Sequence, residues 1–233
     1  MKIKALTFDT GGTIFDWHGG ICSAFEQIGG HHNLSRDWHA VTNDYRRLAM
    51  KGIVGQVQPA FNMDGVHRAV LDEVLANHGL QGFTPEDRER IVRTWHALRV
   101  WPDFPDGVIR IRAQLPVVSF TLLPLSLVLN VSRLNHLDWD AIISCEMIGT
   151  YKPHAQAYLK TAQWLSVAPS EILMVACHNF DLNAARACGF KTAFVRRPDE
   201  WGPAGPPDPN PHPDCDLVVD GFEALADDVL RLI

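Results

Sequence analysis

Short apolar runs and long amphipathic stretches divide this chain unequally. Residues 3–8 are apolar and β-branched, and a continuous apolar run this short predicts a strand buried on both faces. From Gly19 to about Leu98 no convincing strand follows. Apolar positions there fall at helical spacing instead, most clearly Val66, Val70, Leu71, Val74 and Leu75 within residues 64–78, closed by Gly79. Thr84 followed by Pro85, Glu86 and Asp87 predicts an N-cap, a proline at the first helical position and acids at the positive end of the helix dipole, opening a helix that runs to Leu98. Trp101-Pro102-Asp103 breaks it, and residues 107–114 start another helix. Strands are predicted after that at 117–120, 141–144, 172–176, 192–195 and 217–219, separated by helices at 125–136, 155–165 and 182–188, with a short helix at the end. Strands alternating with helices imply an α/β fold with a parallel sheet covered on both faces.

Composition narrows the class. With 233 residues, 46% of them hydrophobic, the chain buries a core and suits one domain plus an insertion. The net charge of −6 is mild and mixed, which argues against an electrostatic nucleic-acid binder. No apolar run approaches the roughly 20 residues that span a bilayer, and no charged segment leads into an apolar signal stretch. Five cysteines are scattered with no C-x-x-C pair, so a reduced, cytoplasmic chain without a metal is the expectation. Residues 197–214 carry seven prolines and predict a stiff surface loop.

Asp9 ends the first strand, and Gly11-Gly12 turns the chain sharply behind it. Such a carboxylate faces the crevice where open α/β sheets bind ligands, although Asp-x-Gly-Gly alone reads equally well as a capped turn. Three further motifs change that balance. They are Ser119-Phe120-Thr121 at a strand end, Tyr151-Lys152-Pro153 after a strand and loop, and Cys177-His178-Asn179-Phe180-Asp181-Leu182. Together with Asp9-Thr10-Gly11-Gly12-Thr13-Ile14 and Asp16, they resemble the haloacid dehalogenase-like hydrolases. The resemblance implies a Rossmann-like parallel sheet with an inserted helical cap: residues 1–16 and 100–233 the core domain, 17–99 the cap domain. It also implies that Asp9 is the nucleophile, kept ionised and oriented by the buried cation Lys152.

Two departures select the branch. Phosphatases of the superfamily place a general acid–base aspartate two residues after the nucleophile, where this chain has Gly11, which has no proton to give. They also hold Mg²⁺ with an aspartate four residues before the one matching Asp181, where this chain has Cys177, a poor ligand for a hard cation. Losing both undermines phosphoryl transfer. Asp9 and Asp181 are then the only motif carboxylates expected near the site.

The remaining motifs resemble the metal-free type II 2-haloacid dehalogenases. Arg46, in Tyr45-Arg46-Arg47, is similar to that branch's halide-binding arginine, with Arg47 the alternative; Trp95, Trp101-Pro102-Asp103 and Trp201-Gly202-Pro203 add to the likeness. The resemblance implies that Asp9 displaces halide to form an ester, Asp181 anchors Lys152, and Asp181 or His178 positions the water that hydrolyses the ester. It places Thr10, Gly11, Thr121, Leu122 and Asn179 at the substrate, a short halogenated carboxylate. Leu122 replaces a common asparagine, which keeps the backbone donor and loses a side-chain donor. The competing expectations are a Mg²⁺-dependent phosphatase and a non-catalytic binding protein of the same fold. The residues set no oligomeric state, and a homodimer stays open.

Overall fold

The computed structural model describes residues 2–56 and 60–233. In chain order β1 is Ala5–Phe8 and β2 the two residues Phe15–Asp16. Four helices come next: α1 (Trp17–His31), α2 (Trp38–Val54), α3 (Met63–Asn77) and α4 (Pro85–Thr94). After a 3₁₀ turn at Trp95–Ala97 come β3 (Arg99–Val100), α5 (Phe104–Arg112), β4 (Val117–Thr121), α6 (Leu125–Leu134), β5 (Ala141–Ser144) and the single turn α7 (Cys145–Ile148). The chain ends with α8 (Ala155–Leu165), β6 (Ile172–Ala176), α9 (Asn179–Ala187), β7 (Lys191–Val195), β8 (Leu217–Val219) and α10 (Phe222–Leu230).

Six strands form one sheet in the order β5–β4–β1–β6–β7–β8, and every neighbouring pair is parallel. This is the α/β fold expected, with the first strand at its centre. Both faces are covered because every buried strand sends alternate side chains to opposite sides. Phe8 packs on Phe104 of α5 and Phe222 of α10, at ring distances of 6.1 and 6.0 Å. On the other face, Phe120 meets Tyr158 of α8 edge-on at 5.3 Å.

Between β2 and β3 the described residues contain helices and no strand. The antiparallel two-residue pair of β2 with β3 ties both ends of this insertion together. Thr84 caps α4 as its sequence predicts: its Oγ1 accepts from the Asp87 amide at 3.2 Å, and its own amide donates to Asp87 at 2.9 Å. Two helices begin three residues earlier than their apolar pattern suggests. α5 starts at Phe104 because Pro105 sits in the first turn, where a proline costs no hydrogen bond. α9 starts at Asn179 because its first turn is built from polar residues that serve the site. No helix among the described residues is long and apolar enough to cross a membrane.

Candidate active site

The parallel sheet delivers the ends of β1, β4, β6 and β7 to one edge, on either side of the central strand. Asp9 follows β1 directly and is buried. Its carboxylate accepts from Thr13 Oγ1 at 2.8 Å and lies 3.6 Å from Lys152 Nζ and 3.3 Å from His178 Nδ1. Burial opposes the charge on Asp9, but Lys152 and His178 outweigh it and bring the pKa down to about 2. Asp9 is therefore an ionised carboxylate at neutral pH.

Lys152 is fully buried, and its position is over-determined. Nζ donates to Asp181 at 2.8 Å and to the Phe120 carbonyl at 2.7 Å, and Tyr158 donates to the other Asp181 oxygen at 2.6 Å. Burial alone would lower the lysine's pKa, but the two aspartates more than compensate and raise it.

His178 stands between two acids, since its Nε2 is 2.9 Å from Glu200. Glu200 also accepts from the Trp17 indole at 3.0 Å. Burial disfavours charge on His178, yet its acidic neighbours push its pKa well above the ordinary histidine value. Glu200 in turn is held below the usual range by His178, against its own burial. Two carboxylates outside the motifs, Glu200 and Asp208, thus join Asp9 and Asp181 at the site. The proline-rich stretch is more than a surface loop: Glu200, Trp201, Pro206, Pro207 and Asp208 form one wall of the cavity. Glu200 reaches the site because it follows the end of β7. Gly12 makes room for it, since a Cβ there would overlap its side chain and the backbone is already left-handed at φ +91°.

The cavity, about 180 Å³, opens between Asp9 and the helical insertion. Arg46 of α2 faces Asp9 across it and is buried, its guanidinium 5.2 Å from the Trp17 ring and 5.6 Å from the Trp95 ring. Among the described residues this guanidinium makes no hydrogen bond and no ion pair. Arg47 instead pairs with Asp44 at 2.8 Å on the exposed side of the same helix.

Gly11 lines the cavity, and a Cβ there would meet Arg46 Nη2 and Leu123 at 3.8 Å, so any large side chain would have to displace the arginine. Leu122 and Leu123 make the neighbouring wall apolar. Thr121 lines it too, accepting from the Leu123 amide at 3.0 Å and sharing a 2.6 Å hydrogen bond with Thr10. That leaves the threonine pair one hydroxyl proton for a ligand. Two of the expected substrate-binding residues are engaged by the protein itself. Thr10 lies behind Thr121 and is not part of the cavity wall. Asn179 is at the wall, but its amide is spent on Asp208, the Asn210 carbonyl and the His212 amide, tying the proline-rich segment down.

The donor set does not suit Mg²⁺. Burial pushes the Cys177 thiol up to about 11, so it stays a neutral sulfur, and the charged His178 fills the space beside Asp9 where a cation would compete.

The parallel sheet, the strand-end aspartate and the buried lysine define a haloacid dehalogenase-like hydrolase, and the chain belongs to that family, whose model matches residues 3–189. It is similar to an (S)-2-haloacid dehalogenase of Xanthobacter autotrophicus, 26% identical over 84% of this chain and 76% of that one. Pyrophosphatase PpaX of Bacillus mycoides is 23% identical over 84% of each chain. Among solved structures, a defluorinating L-2-haloacid dehalogenase superposes with a TM-score of 0.89 at 33% identity, covering 98% of this chain and 95% of that one. A second L-2-haloacid dehalogenase gives 0.88 at 30% identity, covering 98% and 99%.

Proposed function

We propose that this protein is a metal-independent hydrolase of carbon–halogen bonds that converts a short 2-haloalkanoic acid to the 2-hydroxy acid. What carries the reading is the buried Arg46, beside two indoles and with no hydrogen bond among the described residues, across a small cavity from the ionised Asp9. A departing halide needs such a receiver, and a displacement at carbon needs such a carboxylate.

In the first step an Asp9 oxygen bonds to C2, and halide leaves with the carbon–halogen electron pair towards Arg46. Thr121 and the Leu122 amide hold the substrate carboxylate, while Lys152, anchored by Asp181, fixes the angle of attack. In the second step water adds to the Asp9 carbonyl carbon, and the ester bond breaks to release the hydroxy acid. Alkylation neutralises Asp9 and so removes one of the two acids that hold a proton on His178. The imidazole can then shed that proton from Nδ1 to solvent, take one from the attacking water and pass it to the departing alkoxide, with Glu200 fixing the tautomer through Nε2.

Residues 17–99 act in this reading as a cap domain that brings Arg46 over a core domain of residues 1–16 and 100–233. The substrate partner is a halogenated carboxylate, and neither nucleic acid nor a membrane enters the proposal. The five unpaired cysteines fit a reducing, cytoplasmic setting.

Halide release from 2-chloropropionate, run beside phosphate release from p-nitrophenyl phosphate with and without EDTA, tests the proposal. Halide release unchanged by EDTA is expected; phosphate release that collapses on chelation and returns with Mg²⁺ would replace this function by a phosphatase. Arg46→Lys should lose about 10²-fold in kcat, because a point charge cannot reproduce the guanidinium fork between two indoles. Arg47→Lys should turn over normally. The reverse ranking of the two variants would move the halide to Arg47.

A further inference from the structure

We infer that His18, Cys22 and His39 form a zinc site that staples the first two helices of the insertion together, apart from the catalytic cavity. His18 and Cys22 are four residues apart on α1, which puts both side chains on one face. His39 stands in the first turn of α2, and one ligand atom from each of the three residues lies within 4.8 Å of the other two.

Two of the three spacings are those of a metal's ligands, and the third pair lies within 4.8 Å. Zinc bonds of about 2.0–2.1 Å to nitrogen and 2.3 Å to sulfur in a tetrahedron put two nitrogens about 3.4 Å apart and nitrogen and sulfur about 3.6 Å apart. Here His39 Nδ1 is 3.4 Å from His18 Nε2 and 3.6 Å from Cys22 Sγ. A network of hydrogen bonds explains this arrangement poorly. In either tautomer His39 Nδ1 offers one in-plane lone pair or one N–H, which His18 Nε2 and Cys22 Sγ would have to share at 3.4 and 3.6 Å. The two rings are parallel with centroids 5.1 Å apart, so holding one ion in both ring planes requires the imidazoles to turn about their soft χ2 torsions.

The chemistry of the set is also right for zinc. Two imidazoles and one thiol suit a borderline-soft ion, and no carboxylate belongs to the cluster. Binding converts the Cys22 thiol to thiolate, with its proton released to solvent. His39 is exposed beside a surface cleft also lined by Asp37, Asp44 and Pro203, which gives the ion an entry path and water the fourth position.

The other cluster of candidate ligands, Cys177, His178 and Glu200, is different in kind. There His178 meets Glu200 at hydrogen-bond distance, and a proton already satisfies both groups. His18, Cys22 and His39 are absent from the cavity wall, so the staple is structural and turnover survives chelation. It nonetheless braces the site: His18 is flush against Gly202, where a Cβ would overlap the ring, and Gly202 follows the wall residue Trp201.

Chelator-stripped full-length protein titrated with Co²⁺ tests the inference independently of activity. Expected are one tightly bound ion per chain, a thiolate-to-cobalt charge-transfer band, the visible bands of tetrahedral cobalt, and their loss when Zn²⁺ displaces it. Cys22→Ser should abolish the charge-transfer band, and Cys177→Ser should keep it. His39→Asn changes an exposed position, should fold with an unaltered far-UV spectrum, and should weaken cobalt binding at least tenfold. Zn²⁺ should raise the Tm of the parent protein and not that of His39→Asn. Absence of the band in the parent protein, its persistence in Cys22→Ser, or its loss only in Cys177→Ser would overturn the site.

Discussion

Replacing Asp9 by asparagine is expected to reduce steady halide release by about 10⁴-fold or more while the protein stays folded, since the amide is nearly isosteric with the carboxylate. Single-turnover labelling gives the sharper reading. In ¹⁸O-water the first turnover should place the label on Asp9 and unlabelled oxygen in the hydroxy acid, because the product oxygen comes from the carboxylate. Label in the first-turnover product, with none on the peptide containing Asp9, would mean direct attack by water and remove Asp9 as nucleophile. The depressed pKa adds a condition on pH. A carboxylate with a folded pKa of about 2 remains ionised at about pH 4, so its own titration gives the alkylation step no acid limb there. By the same shift Asp9 contributes stability above its ordinary pKa of 3.8, and that contribution is lost as pH falls towards 2.

The second large effect is on stability. Lys152→Met keeps the length of the side chain but leaves Asp181 buried with Tyr158 as its remaining side-chain partner. Stranding a buried charge in this way costs about 3–5 kcal/mol, to be read as a lower urea midpoint together with lost dehalogenation. Lys152→Met combined with Asp181→Leu should recover much of the stability and none of the activity. A double variant no more stable than the single one would mean that the lysine stem, rather than its charge, supports the core.

Much of this was legible in the chain, and the parts that were not have physical causes. The buried strands announce themselves because a parallel sheet covered on both faces needs uninterrupted apolar runs, as in residues 172–176. Asp9, Lys152 and Asp181 follow from motif order, and the structure brings them within one network. The resemblance favours Arg46, but helical periodicity alone does not separate it from Arg47. Adjacent helical residues point about 100° apart, and only the packing of Trp17 and Trp95, distant in sequence, decides which one faces inward. Glu200 was hidden by its surroundings, because proline-rich composition reads as loop whatever the loop covers. Its position just beyond the end of β7 was the available signal. The partners of Asn179 are hidden for the opposite reason. The residue sits in the right motif, but its amide is consumed by a segment some thirty residues later, a contact that no local pattern encodes.

The tryptophan in the cavity wall has an optical consequence. Bromide and iodide quench tryptophan emission on contact, and a halide held by Arg46 would share its cavity with the Trp201 indole. The protein therefore carries its own reporter of leaving-group occupancy. Stopped-flow emission would follow the halide from bond cleavage to escape without any added dye, separating the rate of chemistry from the rate of ion release.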